Sequence, residues 1–263
     1  MIILNYAAGT NSTALIIEGY RRGIRPDLIV FADTGNEMPH TYEHLKRMSE
    51  WCVAHDLPPV TVTRWIRKDG SFVSIEDVAL RSKQLPSKSY GLSGCTSKWK
   101  QQPIDRLVSA HPQVRSIWAE GGVIERWIGY DADEPERTRR MLEKNPQPTG
   151  AKAGAVKWRA PLYEWDMGRE ECVDVIAEAG MEQPGKSSCF FCPSMRKAEI
   201  LELGIRYPEL LQRALNIEDN ARPGLTTVKG LGRRLSWRAF VEGEAQAAEQ
   251  REDMDTACGC YDG

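Results

Sequence analysis

Ile2-Ile3-Leu4-Asn5-Tyr6-Ala7-Ala8-Gly9-Thr10-Asn11-Ser12-Thr13-Ala14-Leu15-Ile16-Ile17 carries the decisive signal of this chain. The apolar run Ile2-Ile3-Leu4 reads as a short buried strand. It breaks into small residues and then enters the apolar helix Ala14-Leu15-Ile16-Ile17. Small residues let a backbone approach a ligand closely, and the N–H groups opening the next helix form a ready anion site. The spacing is neither G-x-G-x-x-G nor a loop closed by Gly-Lys-Ser/Thr. Phosphate binding and ordinary α/β packing therefore both remain open. The run Leu28-Ile29-Val30-Phe31-Ala32 is continuous, as in a parallel strand buried on both faces. It ends in Asp33-Thr34-Gly35-Asn36-Glu37-Met38-Pro39-His40-Thr41. Strand, turn and helix twice in fifty residues imply a βαβ start, with both polar turns beyond the carboxyl ends of neighbouring strands. Asp33 reads either as a ligand-lining residue or as a helix N-cap.

Length and composition frame this reading. A chain of 263 residues can bury one good core, or one core and a small appendage. With 41% hydrophobic and 27% charged residues and a mean hydropathy of −0.47, it has ordinary globular composition. The apolar runs are too short to span a bilayer, and no basic stretch precedes Met1-Ile2-Ile3-Leu4, so a cytoplasmic protein with no signal peptide and no membrane partner is expected. A net charge of −2 and a pI near 6.2 argue against a dominant nucleic-acid footprint. Local clusters such as Arg21-Arg22, Lys98 with Lys100, Arg137 with Arg139-Arg140, and Arg233-Arg234 read as solvated faces or as anion partners.

The seven cysteines are the second signal. Cys189-Phe190-Phe191-Cys192-Pro193 is a Cys-x-x-Cys turn, and Cys258-Gly259-Cys260 closes the chain. Cys52 and Cys172 fall in helical patterns and read as buried small hydrophobes. Clustered cysteines in a reducing compartment favour metal or redox chemistry over disulfides. One pair cannot complete a tetrahedral site, so Cys95 and then Cys258 or Cys260 are the further candidates. Iron–sulfur, zinc and a bare thiol pair all suit soft thiolate ligands.

Five segments in order resemble the phosphoadenosine phosphosulfate reductase family, within the adenine-nucleotide alpha-hydrolase superfamily of ATP pyrophosphatases. The pair Ala7-Ala8-Gly9-Thr10-Asn11-Ser12-Thr13 and Phe31-Ala32-Asp33-Thr34-Gly35 looks like its pyrophosphate loop and second-strand motif. Gly94-Cys95-Thr96-Ser97-Lys98-Trp99-Lys100-Gln101-Gln102-Pro103-Ile104, Ile128-Gly129-Tyr130-Asp131-Ala132-Asp133-Glu134-Pro135-Glu136-Arg137 and Ala160-Pro161-Leu162-Tyr163-Glu164-Trp165 are similar to three later motifs. The resemblance covers residues 2 to about 193. It implies an α/β fold with a parallel twisted sheet and helices on both faces, Rossmann-type and HUP-like. A helical C-terminal region carrying a cysteine metal site follows, with domains at 1–170 and 171–263.

The resemblance also implies ligands and roles. ATP or a related adenine nucleotide would lie against Ala8, Gly9, Thr10, Asn11, Ser12, Thr13, Asp33, Thr34 and Gly35. Asp133 and Glu134 would take ribose or magnesium, with Lys98, Lys100 and Arg137 as charge partners. A 4Fe-4S cluster, or zinc instead, would use Cys95, Cys189, Cys192 and Cys260. Cys258-Gly259-Cys260-Tyr261 partly matches the Cys-Gly-x-His segment whose cysteine attacks a sulfated nucleotide, which makes Cys258 a catalytic candidate; Tyr261 stands where the histidine would be. The family loop is usually Ser-Gly-Gly-x-Asp-Ser, whereas here Ala7 and Ala8 replace two of its residues and Asn11 the aspartate. Asn keeps hydrogen bonding and loses charge.

The remaining chain supplies Val60-Thr61-Val62-Thr63 as a strand and a turn and strand around Ile117 to Gly129. Asn145 to Ala155, rich in Pro, Gly and Lys, reads as a mobile loop; the family resemblance implies that a segment near here closes over the nucleotide, which makes it a candidate lid. Helices are expected over 168–180, 195–203, 207–215 and 237–249. Of the four histidines, His40 stands in the second polar turn. Three functions are consistent with these readings. The first is an ATP pyrophosphatase that adenylates a nucleic-acid or small-molecule acceptor for sulfur transfer, fed by a thiol or a cysteine desulfurase. The second is a thiol-dependent reductase of adenylyl or phosphoadenylyl sulfate. The third is a non-catalytic nucleotide-binding protein with a structural metal.

Overall fold

The computed structural model describes residues 1–143 and 155–257. Five strands, β1 (Ile2–Tyr6), β2 (Leu28–Asp33), β3 (Val60–Arg64), β4 (Val123–Ile128) and β5 (Ala155–Arg159), form one sheet in the order β3-β2-β1-β4-β5. Every pairing is parallel. The uninterrupted burial of β2 follows from this, because crossover helices cover both faces of a parallel sheet. The fold is thus α/β and Rossmann-like, with helices flanking an all-parallel sheet.

Alternation along each strand sorts side chains into two cores. Leu4, Tyr6, Ile29, Phe31 and Trp127 face helix α1 (Thr10–Arg21), helix α2 (Pro39–Ala54) and the helix Arg169–Glu178. Ile3, Leu28, Val30, Ala32 and Ile124 pack on the opposite side with Ile104, Val108 and Val114, from the helices Gln102–Ala110 and Pro112–Ala119. The helix Arg169–Glu178 gives Cys172, Val175 and Ile176 to the first of these cores. It therefore belongs with the sheet, although the sequence suggests a boundary near residue 170. Burial pushes the thiols of Cys52 and Cys172 up to about 12, as expected of inert core cysteines.

The chain divides into two compact units. One comprises residues 1–72 and 97–188, including the sheet; the other comprises 73–96 and 189–263. The second is helical in its described part, with helices Ile75–Ser82, Lys197–Arg206, Pro208–Ala221 and Trp237–Ala257. Its organising group is the Glu218 carboxylate, 1% exposed. That carboxylate accepts the N–H groups of Leu231 (2.7 Å), Trp237 (2.9 Å) and Arg238 (3.1 Å) and the Ser236 hydroxyl. It fixes the turn that starts the last helix. Among the described residues no helix is long and apolar enough to cross a membrane.

Replacing Glu218 by Ala orphans those buried donors and should lower unfolding stability by about 3 kcal/mol, against at most about 0.5 kcal/mol for exposed Glu209→Ala. Equal urea midpoints for the two variants would show that Glu218 does not organise the turn.

Candidate functional site

The order β3-β2-β1-β4-β5 places a topological switch point between β1 and β4, where consecutive connections leave in opposite directions. Crevices in open α/β sheets form there, beyond the carboxyl ends of the strands. The loop after β1 is Ala7-Ala8-Gly9, and the segment after β4 is Gly129 to Glu134.

The first loop is tightly made. Ala8 is buried and adopts φ +54°, a left-handed conformation that costs an alanine about 1 kcal/mol. Ser12 holds the turn: its Oγ accepts the N–H of Ala7 (3.2 Å) and Gly9 (3.3 Å) and donates to the Gly9 carbonyl (3.1 Å). The Ser187 hydroxyl donates to the Ala7 carbonyl. Gly9 caps α1, whose first turn carries no acidic side chain. N–H groups of a first helical turn have no intrahelical acceptor, and they favour an anion.

Gly129 lets β4 end directly against this turn. A Cβ there would stand 2.9 Å from the Ser12 nitrogen and 3.0 Å from the Asn11 carbonyl carbon. A polar chain then links the two segments to the helix Arg169–Glu178. Asn11 Nδ2 donates to Asp131 Oδ2 (2.7 Å), and Arg169 Nη1 donates to Asn11 Oδ1 (2.7 Å). The backbone N–H of Arg169 donates to Asp133 Oδ2 at 2.8 Å. Asp131 is 3% exposed, and its other oxygen, Oδ1, has no partner. Burial raises its pKa, reinforced by the neighbouring Glu134 and Asp133 and opposed by the Asn11 amide and Arg169. Glu134 pairs with Arg137 at 2.7 Å, and that guanidinium lies 4.2 Å from the Tyr130 ring centroid.

The turn after β2 is equally well connected. Asp33 is not an N-cap, because α2 begins at Pro39 after Met38. Its Oδ1 instead accepts the Gly35 N–H (2.7 Å) and the Tyr42 hydroxyl (2.8 Å), while Oδ2 pairs with Arg64 at 2.6 Å. Gly35 takes φ +78°, which closes this turn. Glu37 has a fully buried side chain; Oε1 accepts the Thr34 hydroxyl (3.1 Å) and pairs with Lys100 (3.1 Å), while Oε2 has no partner. Lys98 lies over the rings of Trp65 (4.4 Å) and Trp99 (5.2 Å). Thr13 points inward: its hydroxyl meets His44 Nε2 (2.9 Å) and the Tyr6 hydroxyl (3.3 Å). His40 Nε2 sits 3.1 Å from the Lys186 carbonyl, and a Cβ on Gly185 would meet the His40 ring at 2.6 Å.

The sequence-selected residues Ala8, Gly9, Thr10, Asn11 and Ser12 thus gather with Asp133 and Glu134 around the switch point, and Asp33, Thr34, Gly35 and Lys100 around the neighbouring turn. The geometry adds Arg169, Glu37, Arg64 and Ser187, which sequence reading does not select, and singles out Asp131 within the acidic group 131–134. Glu37 stands in the polar turn after β2 and Asp131 in the segment after β4. Arg169 opens an amphipathic helix 158 positions from its partner Asn11, a pairing no local pattern reveals.

Cys95, Cys189 and Cys192 all lie in the second unit and are partly exposed. The Cys95 N–H donates to Ser87 Oγ at 2.8 Å, and the Cys192 N–H donates to the Cys189 carbonyl at 3.0 Å. Among the described residues no three His, Cys, Asp or Glu side chains are placed to hold a metal. Cys258, Cys260 and most of the candidate lid lie outside the described residues. No known protein-family model matches the chain, and no curated protein matches it.

Two outcomes test this geometry. Gly129→Ala should destabilise the protein by about 1–3 kcal/mol, since its methyl meets backbone. Gly224→Ala, whose Cβ would meet nothing within 4 Å, should not; equal thermal midpoints would remove the close approach. The second concerns His44, whose pKa burial lowers from the ordinary 6.5 to about 4, aided by Arg47. A depressed histidine favours folding fully above 6.5, and that contribution is lost as pH falls toward 4. Urea unfolding across this window should show a shallower acid loss for His44→Gln than for the wild type; parallel curves would refute the assignment.

Proposed function

We propose that the crevice binds ATP and releases pyrophosphate while adenylating an acceptor. The observation that carries this reading is the β1–α1 loop at the switch point: a left-handed Ala8, a first helical turn without acidic residues, and Arg169 across the opening. A triphosphate suits that arrangement. Backbone N–H groups of α1 would hold β- and γ-phosphate oxygens, and Arg169 would exchange Asn11 for a phosphate oxygen, a stronger acceptor. The nucleoside would lie toward the Asp33–Gly35 turn, with Glu37 and Lys100 beside it.

The chemistry assigned to the chain is electrostatic. An acceptor oxygen attacks the α-phosphorus, the bond to the bridging oxygen breaks, and pyrophosphate leaves with the adenylate on the acceptor. Donors placed where charge builds on pyrophosphate stabilise that transition state. Magnesium that arrives on a nucleotide keeps several waters and needs one or two carboxylates. Asp131, with Oδ1 lacking a partner, fits that role.

The cysteines suit sulfur chemistry by type and clustering, and sulfur transfer to the adenylated acceptor is the reaction that would use them. The described thiols do not assemble a cluster or zinc site by themselves, so no step is assigned to a metal.

Calorimetry with ATP should give a saturable one-site isotherm. Arg169→Met, an exposed position, should weaken it by about ten-fold, equivalent to about 1.4 kcal/mol, and Ser12→Phe should abolish it. Folded Ser12→Phe protein with wild-type affinity would sink the assignment. Binding without pyrophosphate release, with each candidate acceptor tried, would leave a nucleotide-binding protein that lacks the enzymatic step.

A further inference from the structure

The second core face holds a charge where apolar side chains are the rule. Strand alternation turns Arg126 of β4 to the same side as Ile124, under the helix Gln102–Ala110. Its side chain is 7% exposed. It pairs with Asp105 and donates to Asn5 Oδ1 at 3.3 Å, yet its Nε has no partner. Asp105 is 57% exposed, so water screens the carboxylate paired with this cation. A buried charge is costly unless well compensated, and burial lowers the Arg126 pKa despite Asp105.

Beside Arg126 lies a hollow of about 610 Å³, within the size range of small-molecule sites. Trp118, Trp158, Val108 and Val156 form its apolar walls, and Arg106 is a second cation on its rim. The Arg126 guanidinium stands 4.3 Å from the Trp158 ring centroid. The Trp118 N–H is spent on the Ala155 carbonyl at 3.2 Å, so that indole offers only its apolar surface.

We propose that this hollow binds a small aromatic carboxylate, its carboxylate on Arg126 and its ring against the tryptophans. Among the described lining residues, two arginines against one aspartate favour a monoanion. An inorganic anion would leave the indole and valine walls uncovered, and a neutral ring would leave Arg126 as poorly compensated as before. The planar guanidinium fork matches a carboxylate. The hollow lies on a side face of the sheet, under one helical layer, and the inference does not rest on nucleotide binding in the crevice.

Naphthoate is a suitable probe, titrated by calorimetry into the full chain. It should bind at one site, and uncharged naphthamide should bind about ten-fold more weakly or worse. Arg126→Met should reduce naphthoate affinity by a similar factor. Because that variant removes a buried group, Ser109→Phe is the second: it fills the hollow from an exposed helical position and should abolish binding with the fold intact. Saturating ATP should leave the naphthoate isotherm unchanged. No isotherm, equal affinity for naphthamide, or wild-type affinity in folded Ser109→Phe would each overturn the proposal. Displacement by ATP would overturn it too, by making the hollow part of the nucleotide crevice.

Discussion

The contact on which the rest of the site depends is backbone against backbone. Gly129, just after β4, stands so close to the first turn of α1 that a Cβ would fall 2.9 Å from the Ser12 nitrogen. The parallel register makes this approach unavoidable. Ile2 to Asn5 pair with Glu125 to Ile128, so the two strands end side by side and their following segments must share one space. Tight packing at such a point leaves little room for adjustment. It brings Asp131 within 2.7 Å of Asn11, and through Asn11 it brings Arg169 to the mouth of the crevice. The strained Ala8 belongs to the same constraint, since Ser12 fixes both ends of the turn in which it sits.

Below the loop the support is a buried polar chain. Thr13 faces away from the crevice and joins Tyr6 of β1 to His44 of α2. Helix α1 is thus tied both to its own strand and to the next helix. Burial lifts the Tyr6 phenol above its ordinary range and lowers His44, so both stay neutral near neutral pH. A neutral network satisfies its own hydrogen bonds without adding charge beneath the first turn of α1.

What can be read from the sequence is what local periodicity encodes. The run Leu28 to Ala32 reveals a doubly covered parallel strand, and all six residues of β2 are buried. The loop Ala7-Ala8-Gly9 and the acidic group from Asp131 to Glu134 are legible as candidates because strand ends are legible, and the crevice follows from strand order. β5 is not legible: Ala155-Val156-Lys157-Trp158-Arg159 alternates with charge and follows a stretch rich in Pro and Gly. Nor is the inclusion of 73–96 with the C-terminal helices, which rests on long-range pairs such as Arg213 with Glu76 and Ser89 with the Leu231 carbonyl. Asp33 shows the limit most plainly. An aspartate after a strand suggests a cap, but its partner Arg64 sits on β3, 31 positions away, and tertiary pairing decides its role.

The charge balance of the crevice follows from these ties. Asp33, Glu37, Asp131, Asp133 and Glu134 would together repel a triphosphate if all faced it bare. Arg64 and Tyr42 engage Asp33, Lys100 engages Glu37, the Arg169 N–H engages Asp133 and Arg137 engages Glu134. These four acids are answered within the fold, so the first turn of α1 is not opposed by a field of free carboxylates. Among the described residues Asp131 has no cationic partner of this kind: Asn11 satisfies one of its oxygens, and Oδ1, like Oε2 of Glu37, has no partner. Asn11 fits this arrangement: two adjacent carboxylates would repel, whereas the Asn11 amide donates to Asp131 across 2.7 Å and accepts from Arg169. Negative charge thus sits on the segment after β4 and not on the first turn of α1, which carries no acidic side chain.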